Sequence, residues 1–245
     1  MSIVIPKADL KSIFGSINLM SQNTDDTQSY LGFDCADLSS SDAYRLLNHL
    51  VAPRPIALVS TLSVDGIPNL APFSYFMAGG LNPPSIAFSP TTNRHGQFKD
   101  TLQNIQATGE FTINVVSQGM QDRVNITSLD FDSSVSEWEQ ALFTPTSTTK
   151  VRPARVAESL MAMECRLYQI VSHGEGANAA NYVIGEVLYF HIAKQLMVNG
   201  EIDPTQVQYI SRMGGNWYDK VSVDSMFELA RPQLKPNADF NQDNF

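Results

Sequence analysis

The chain has 245 residues, 43% hydrophobic and 17% charged, with a formal net charge of −9 at pH 7. These are ordinary globular values, sufficient for a sizeable core, and β-barrels of ~200–250 residues commonly form a single unit. The acidic balance argues against a broad nucleic-acid footprint, which needs clustered surplus Lys and Arg, so any anionic ligand must be held by a local basic cluster. Cys35 and Cys165 are far apart and lack C-x-x-C or Cys/His ligand spacing, which fits a reducing compartment and speaks against zinc. No apolar run reaches ~18 residues, and Lys7, Asp9 and Lys11 interrupt the apolar residues near the start, unlike a signal peptide. A cytoplasmic protein with no membrane span is expected.

In chain order, Met1–Asp37 reads as an N-terminal extension, either an arm reaching a second subunit or a disordered leader, with a polar loop over Ser21–Ser29. Ser39, followed by Asp42 three positions on, marks a helix start. Ala43, Leu46, Leu47 and Leu50 then share one face, predicting a helix that covers one end of a barrel and ends before Pro53-Arg54-Pro55. Pro55–Leu62 is a short apolar run, Val64-Asp65-Gly66 a turn, and Ile67–Phe76 a second extended segment, so a hairpin is expected. Asn82-Pro83-Pro84 turns into Ile86–Ser89. Asp100 is placed to cap a helix over Thr101–Ala107 that Gly109 ends, ahead of an extended Phe111–Val116. Gln118–Leu129 reads as helical, and Asp130–Leu142 as a polar excursion around a short helix near Trp138.

Further on, Met161, Met163, Cys165 and Leu167 alternate with Glu164 and Arg166, predicting a strand with the carboxylate on its polar side. Asn181–Ile192 is another long strand, Asn199-Gly200 a turn, and Asp203-Pro204 a short helix start. Met213–Tyr218 is a glycine-hinged aromatic segment. The main domain is expected over 38–230, with a polar tail over 231–245.

Closely packed strands ending in hydroxyl-rich and basic segments suit a small barrel with an anion site at its rim. Ser89, Thr91, Thr92, Arg94, Lys99 and Thr101 lie within thirteen residues between a strand and a helix. A phosphate takes donors of these kinds from several directions. On residues alone the same segment reads more readily as a solvated loop. Asn69–Phe76 is interrupted by Pro72, which leaves main-chain groups free along an edge; such an edge serves a ring ligand or simply resists aggregation. Arg54, between two prolines, is held rigidly near the barrel mouth or merely forms a turn. His191 in an apolar strand more often packs than catalyses. There is no G-x-S-x-G, and Gly174-Glu-Gly176 lacks the third glycine and βαβ setting of a dinucleotide fingerprint.

Five motifs occur in a fixed order: R-P-I-A-L-V-S-T from Arg54, D-G-x-P-N-x-A-P-F-S-Y-F from Asp65, N-P-P-x-I-A-F-S from Asn82, K-D-T-x-x-N-I from Lys99 and T-G-E-F-x-I-N from Thr108. In these the chain resembles the flavin reductase-like, or flavoredoxin, family built on the FMN-binding split barrel. The resemblance spans about half the chain. It implies a mainly β, antiparallel Greek-key split barrel with peripheral helices, paired as a homodimer with FMN at the interface. It places the FMN phosphate near Ser89, Thr91, Arg94, Lys99 and Thr101, with Ala71, Phe73, Ser74 and Asn69 along the ring and Arg54 at the mouth. It also gives His191 a position beside a nicotinamide. The implied activity is hydride transfer from NADH or NADPH to flavin, with the onward electron acceptor left open. An FMN electron carrier without a nicotinamide site, a pyridoxamine-phosphate-oxidase-like enzyme lacking the expected arginine array, and a non-enzymatic binding module remain as alternatives.

Overall fold

The computed structural model describes residues 30–132 and 135–231. Most of the N-terminal extension, and the tail beyond Arg231, lie outside the described residues. The helix start at Ser39 forms as expected: the Ser39 hydroxyl accepts from the Asp42 N–H at 3.1 Å and opens α1 (Ser40–Leu50).

The apolar run after Arg54 becomes β1 (Ala57–Leu62). Ala57 and Val59 enter one core and Leu58 another. A strand buried on both faces has no solvent side to alternate with, hence its continuous apolar sequence. The turn at Gly66, with φ of 83°, leads to β2 (Pro68–Phe73). The expected single extension through Phe76 instead breaks at Ser74–Tyr75, because the chain there changes partner. β2 pairs with β1, whereas β3 (Phe76–Leu81) pairs with β4 (Pro84–Phe88).

Then follow α2 (Asp100–Thr108), β5 (Glu110–Val115), α3 (Gln121–Ile126), α4 (Glu137–Gln140), β6 (Met161–His173) and β7 (Ala180–Ile192). The seven strands make one antiparallel sheet in the order β2-β1-β5-β6-β7-β4-β3. Strands β5, β6 and β7 run as a meander, and β4 lies beside β7, which is Greek-key order. The two edge strands, β2 and β3, are joined by two residues yet do not pair with each other. The barrel is therefore split, as expected.

Inside it, Phe73, Phe88 and Phe111 form a tilted stack with ring centroids 5.3 and 5.6 Å apart, joined by Leu102 and Ile105 of α2. A second core, outside β1, gathers Leu58, Leu70, Val124, Trp138 and Phe143 beneath α3 and α4. Gly174 and Gly176 sit at the β6–β7 hairpin turn, with positive φ of 82° and 76°.

α1 departs from expectation. Leu47 and Leu50 are 52% and 80% exposed, and the residue turned inward is Asn48, whose amide donates to the Tyr75 hydroxyl at 3.1 Å. The helix is held at its C-terminal end by polar contacts, Ala43 and Leu46 are half-buried, and Leu47 and Leu50 stay uncovered.

Gly185 in β7 is needed for packing. A Cβ there would stand 2.4 Å from Cζ of Phe111, a ring with no solvent exposure. Overpacking of a closed core costs ~1–3 kcal/mol. Gly185→Ala should lose about that much stability in urea denaturation with an unchanged m-value, and full wild-type stability would show that the ring stack can yield.

Candidate functional site

A cleft of about 1050 Å³ opens where β2 meets the start of α2. Its position follows from how α2 is seated. Leu102 and Ile105 enter the barrel, while Asn69 donates to Thr101 at 2.9 Å and to Thr61 at 3.2 Å, and Asn104 reaches the same Thr61 hydroxyl at 3.1 Å. Gly109, with φ of 72°, ends the helix as expected. The cap differs: Lys99 takes the N-cap position and gives no side-chain hydrogen bond, while Asp100 is already the first helical residue. First-turn N–H groups thus meet the cleft without a capping side chain.

Asn69, Ala71, Phe73, Arg94, Lys99 and Thr101 all line this cleft. Because β2 is a sheet edge, one row of its backbone groups has no strand partner. The Arg94 loop is fixed from behind. Thr92 donates its N–H to the Ala179 carbonyl at 3.0 Å and its hydroxyl to that of Gly176 at 2.6 Å, and accepts from the Ala179 N–H at 2.9 Å. The loop is therefore clamped to the β6–β7 turn. Lys99 Nζ stands 4.0 Å from the exposed Asp130 carboxylate, a loose, solvent-screened pair.

Glu137, Asp100, Phe98, Leu129 and Phe131 also line the cleft, and sequence reasoning assigned them no part in it. Burial pushes the Glu137 carboxyl above its usual range, and neighbouring Asp100 pushes it the same way, against lowering hydrogen bonds that include the Leu70 N–H at 3.3 Å. The polar Asp130–Leu142 segment carried no sign of folding over β2. Only the docking of Trp138 and Phe143 on the second core decides that.

Other expected residues lie elsewhere. Arg54 is 5% exposed, and its guanidinium is committed to the protein: Nη1 donates to the carbonyls of Asn48 at 2.7 Å and Val51 at 2.5 Å, Nη2 to that of Met213 at 3.2 Å. Its Nε faces the Ser74 hydroxyl at 3.4 Å, and burial lowers its pKa. Arg54 thereby ties the end of α1 and the Met213 loop to the β2–β3 break. Ser74 and Thr91 do not line the cleft; nor does Ser89, which is buried and accepts from the Asn181 N–H at 3.3 Å.

His191 is also outside the cleft. Its Nε2 lies 2.5 Å from Oε1 of Glu164, a side chain with no solvent exposure. Glu164 further accepts from the N–H groups of Thr149 at 2.7 Å, Lys150 at 2.5 Å and Val151 at 3.1 Å. The expected polar face of β6 is thus covered by a loop that folds onto its carboxylate. Burial alone would raise the Glu164 pKa, but the bonds from His191 and the three N–H groups outweigh it and hold the carboxyl below its usual range.

An edge strand beside a bare helix start, with Arg94 and Lys99 among its lining residues, borders the cleft of a split barrel. The model of the flavin reductase-like domain matches residues 50–205, and the chain belongs to that family. Nitrilotriacetate monooxygenase component B from Bacillus cereus is similar in structure, with a TM-score of 0.78 and 32% identity over 83% of this chain and 100% of that one. The 2-nitrobenzoate 2-nitroreductase of Pseudomonas fluorescens has a TM-score of 0.74 and 28% identity, covering 85% and 100% of the two chains. An uncharacterised protein of Halalkalibacterium halodurans is 36% identical over 202 residues, 82% of this chain and 96% of its own.

The Glu164 cluster makes stability pH-dependent. Hydrogen bonds in the folded state hold this carboxyl below 4.5, its ordinary value. Its contribution is therefore complete above pH 4.5 and is lost as pH falls below that, through the folded pKa. Urea denaturation of Glu164→Gln should show lower stability than wild type at neutral pH and a shallower decline on acidification. Parallel declines would remove Glu164 from the acid response.

Proposed function

We propose that the protein binds FMN in this cleft and transfers hydride to it from NADH or NADPH. The observation that carries the reading is the uncapped start of a nine-residue helix, flanked by Lys99 and Arg94, on a chain of net charge −9. Such a helix start with two cations at one cleft supports a phosphate there, set against the global field. Bound flavin supplies the hydride-accepting chemistry. The chain's residues hold and orient. Asn69 and Thr101 fix the helix start, and Ala71 and Phe73 of the edge strand β2 line the cleft where a ring would lie. Hydride transfer needs no protein acid or base, so the engagement of His191 with Glu164 suits a buttress for β6 and β7. Arg54 and Ser74 support the break behind the cleft, and Ser89 and Thr91 the entry to the Arg94 loop. A cytoplasmic setting fits; no helix among the described residues is long and apolar enough to cross a membrane.

Absorbance of the purified protein with FMN, followed by anaerobic NADH or NADPH, tests the activity. The bound flavin should bleach. Binding without bleaching, except by dithionite, would leave an electron carrier, and no binding at all would remove the reading. Lys99→Ala and Arg94→Ala should each weaken FMN by about tenfold to a hundredfold, ~1.5–3 kcal/mol, with little change for riboflavin. Equal losses for both ligands would place these side chains away from the phosphate.

A homodimer is the proposed assembly. The aromatic segment Pro72–Phe76 does not supply its surface, since Phe73 is 8% exposed and Phe76 packs against the core. The uncovered apolar surface lies instead on Leu47 and Leu50 of α1, on Met77 and Leu81 of the edge strand β3, and on Tyr168 and Tyr182. Twofold pairing would cover such surface and the free edge together. Sedimentation should show a dimer that Leu50→Glu combined with Met77→Glu converts to a folded monomer; an unaltered dimer would put the interface elsewhere.

A further inference from the structure

We propose that a groove between α3 and a C-terminal β-ribbon binds an α-amino carboxylate zwitterion, either a free amino acid or the two ends of a short peptide. The groove shares no lining residue with the cleft at α2, so the proposal is independent of the flavin reading.

The ribbon is made of β8 (Ile210–Arg212) and β9 (Tyr218–Lys220), antiparallel, with Ile210 opposite Lys220 and Arg212 opposite Tyr218. Residues directly opposed in such a ladder project from the same face, so these four form one wall. Backbone bonds fix that wall beside α3: the Ile210 N–H donates to the Val116 carbonyl at 3.2 Å, and the Gln118 N–H to that of Gln208 at 2.8 Å. Gln121, Asp122 and Asn125 fall within an arc of ~100° on α3 and make the other wall, while Val124 enters the second core. The space between the walls is about 670 Å³. That lies within the range of small-molecule pockets, roughly 300–1,000 Å³.

The charges of the two walls are not used by the fold. Arg212 is half-buried, with its guanidinium 4.4 Å from the centroid of the Tyr218 ring, and makes no hydrogen bond or ion pair among the described residues. Stacking holds the guanidinium in one plane and leaves its N–H edges for a planar carboxylate. Its neighbour across the ladder on the other side is Arg54, a second cation, whose own bonds go to three carbonyls and one hydroxyl, all neutral. Two adjacent guanidiniums, one buried and one half-buried, thus have no counter-ion among the described residues, and Lys220 on the same wall has none either. Charges withdrawn from water without a partner are costly, and a ligand carboxylate at Arg212 offsets that cost.

Across the groove, Asp122 is exposed and its side chain makes no hydrogen bond or ion pair among the described residues. Asp219 alternates to the other face of the ribbon, so Asp122 is the carboxylate of the opposite wall. A plain anion at Arg212 would meet repulsion from Asp122; a ligand with a carboxylate and an ammonium engages both. The Gln118 and Asn125 amides in the lining offer donor and acceptor to the rest of such a ligand.

Calorimetric titration of the full-length protein with L-glutamine and with triglycine, each also in N-acetylated and C-amidated form, tests this. At least one of the two free zwitterions should bind, and blocking either of its ends should weaken it about tenfold or more. Arg212→Gln should weaken the free form about tenfold to a hundredfold and erase the difference between acid and amide. Asp122→Asn should erase the difference between free and acetylated amine with melting curves unchanged, because its side chain is exposed and holds no other group. That variant decides the matter even if Arg212→Gln is unstable. Saturating FMN should leave the affinity within twofold. The proposal is overturned if neither zwitterion binds wild type, if the acetylated form binds as well as the free one, or if both variants retain full binding. Competition by FMN overturns it as well, since it would put the ligand in the α2 cleft. None of these results alters whether flavin binds there.

Discussion

A buried hydrogen-bonded cluster of Thr61, Asn69, Thr101 and Asn104 sets the position of everything the cleft contains. It joins β1, β2 and α2 with side chains short enough to fix the helix in both rotation and depth. With Leu102 and Ile105 pushed into the barrel, the helix start has one place to be, at the free edge of β2. The same cluster explains why Asn and Thr stand where an apolar core would tolerate Leu and Val. A buried amide has several hydrogen-bonding groups to satisfy, and here its donor is satisfied only in one arrangement of the helix.

Around that cluster, polar residues serve as struts. Arg54 gathers carbonyls from α1 and the Met213 loop behind the β2–β3 break. Thr92 clamps the Arg94 loop to the β6–β7 turn, and Glu164 holds the Thr149–Val151 loop over β6. Each strut joins segments that are distant in sequence.

The split also accounts for the molecule's exposed surface. Edge strand β3 and the leucine face of α1 are uncovered, whereas β2, the other edge, borders the cleft. One opening in the sheet thus leaves one edge beside the cleft and the other edge uncovered.

Local chemistry was enough to specify the elements. The Ser39 cap, the apolar run of β1, the glycine at the end of α2 and the alternation of β6 each rest on neighbours a few residues away, so they are legible in the chain. Ordered motifs likewise pointed to the split barrel and to Asn69, Ala71, Phe73, Arg94, Lys99 and Thr101, which the fold brings to one cleft. Tertiary structure alone decided the rest. Arg54 and Glu164 are charged side chains whose partners are mainly backbone groups, and a backbone donor or acceptor has no signature in sequence. Phe98, Leu129 and Phe131 come to one cleft from segments before α2 and after α3, a matter of packing between distant segments. For the same reason the Leu47 and Leu50 face of α1 looked like a buried one: periodicity shows that a helix has an apolar side, not what covers it.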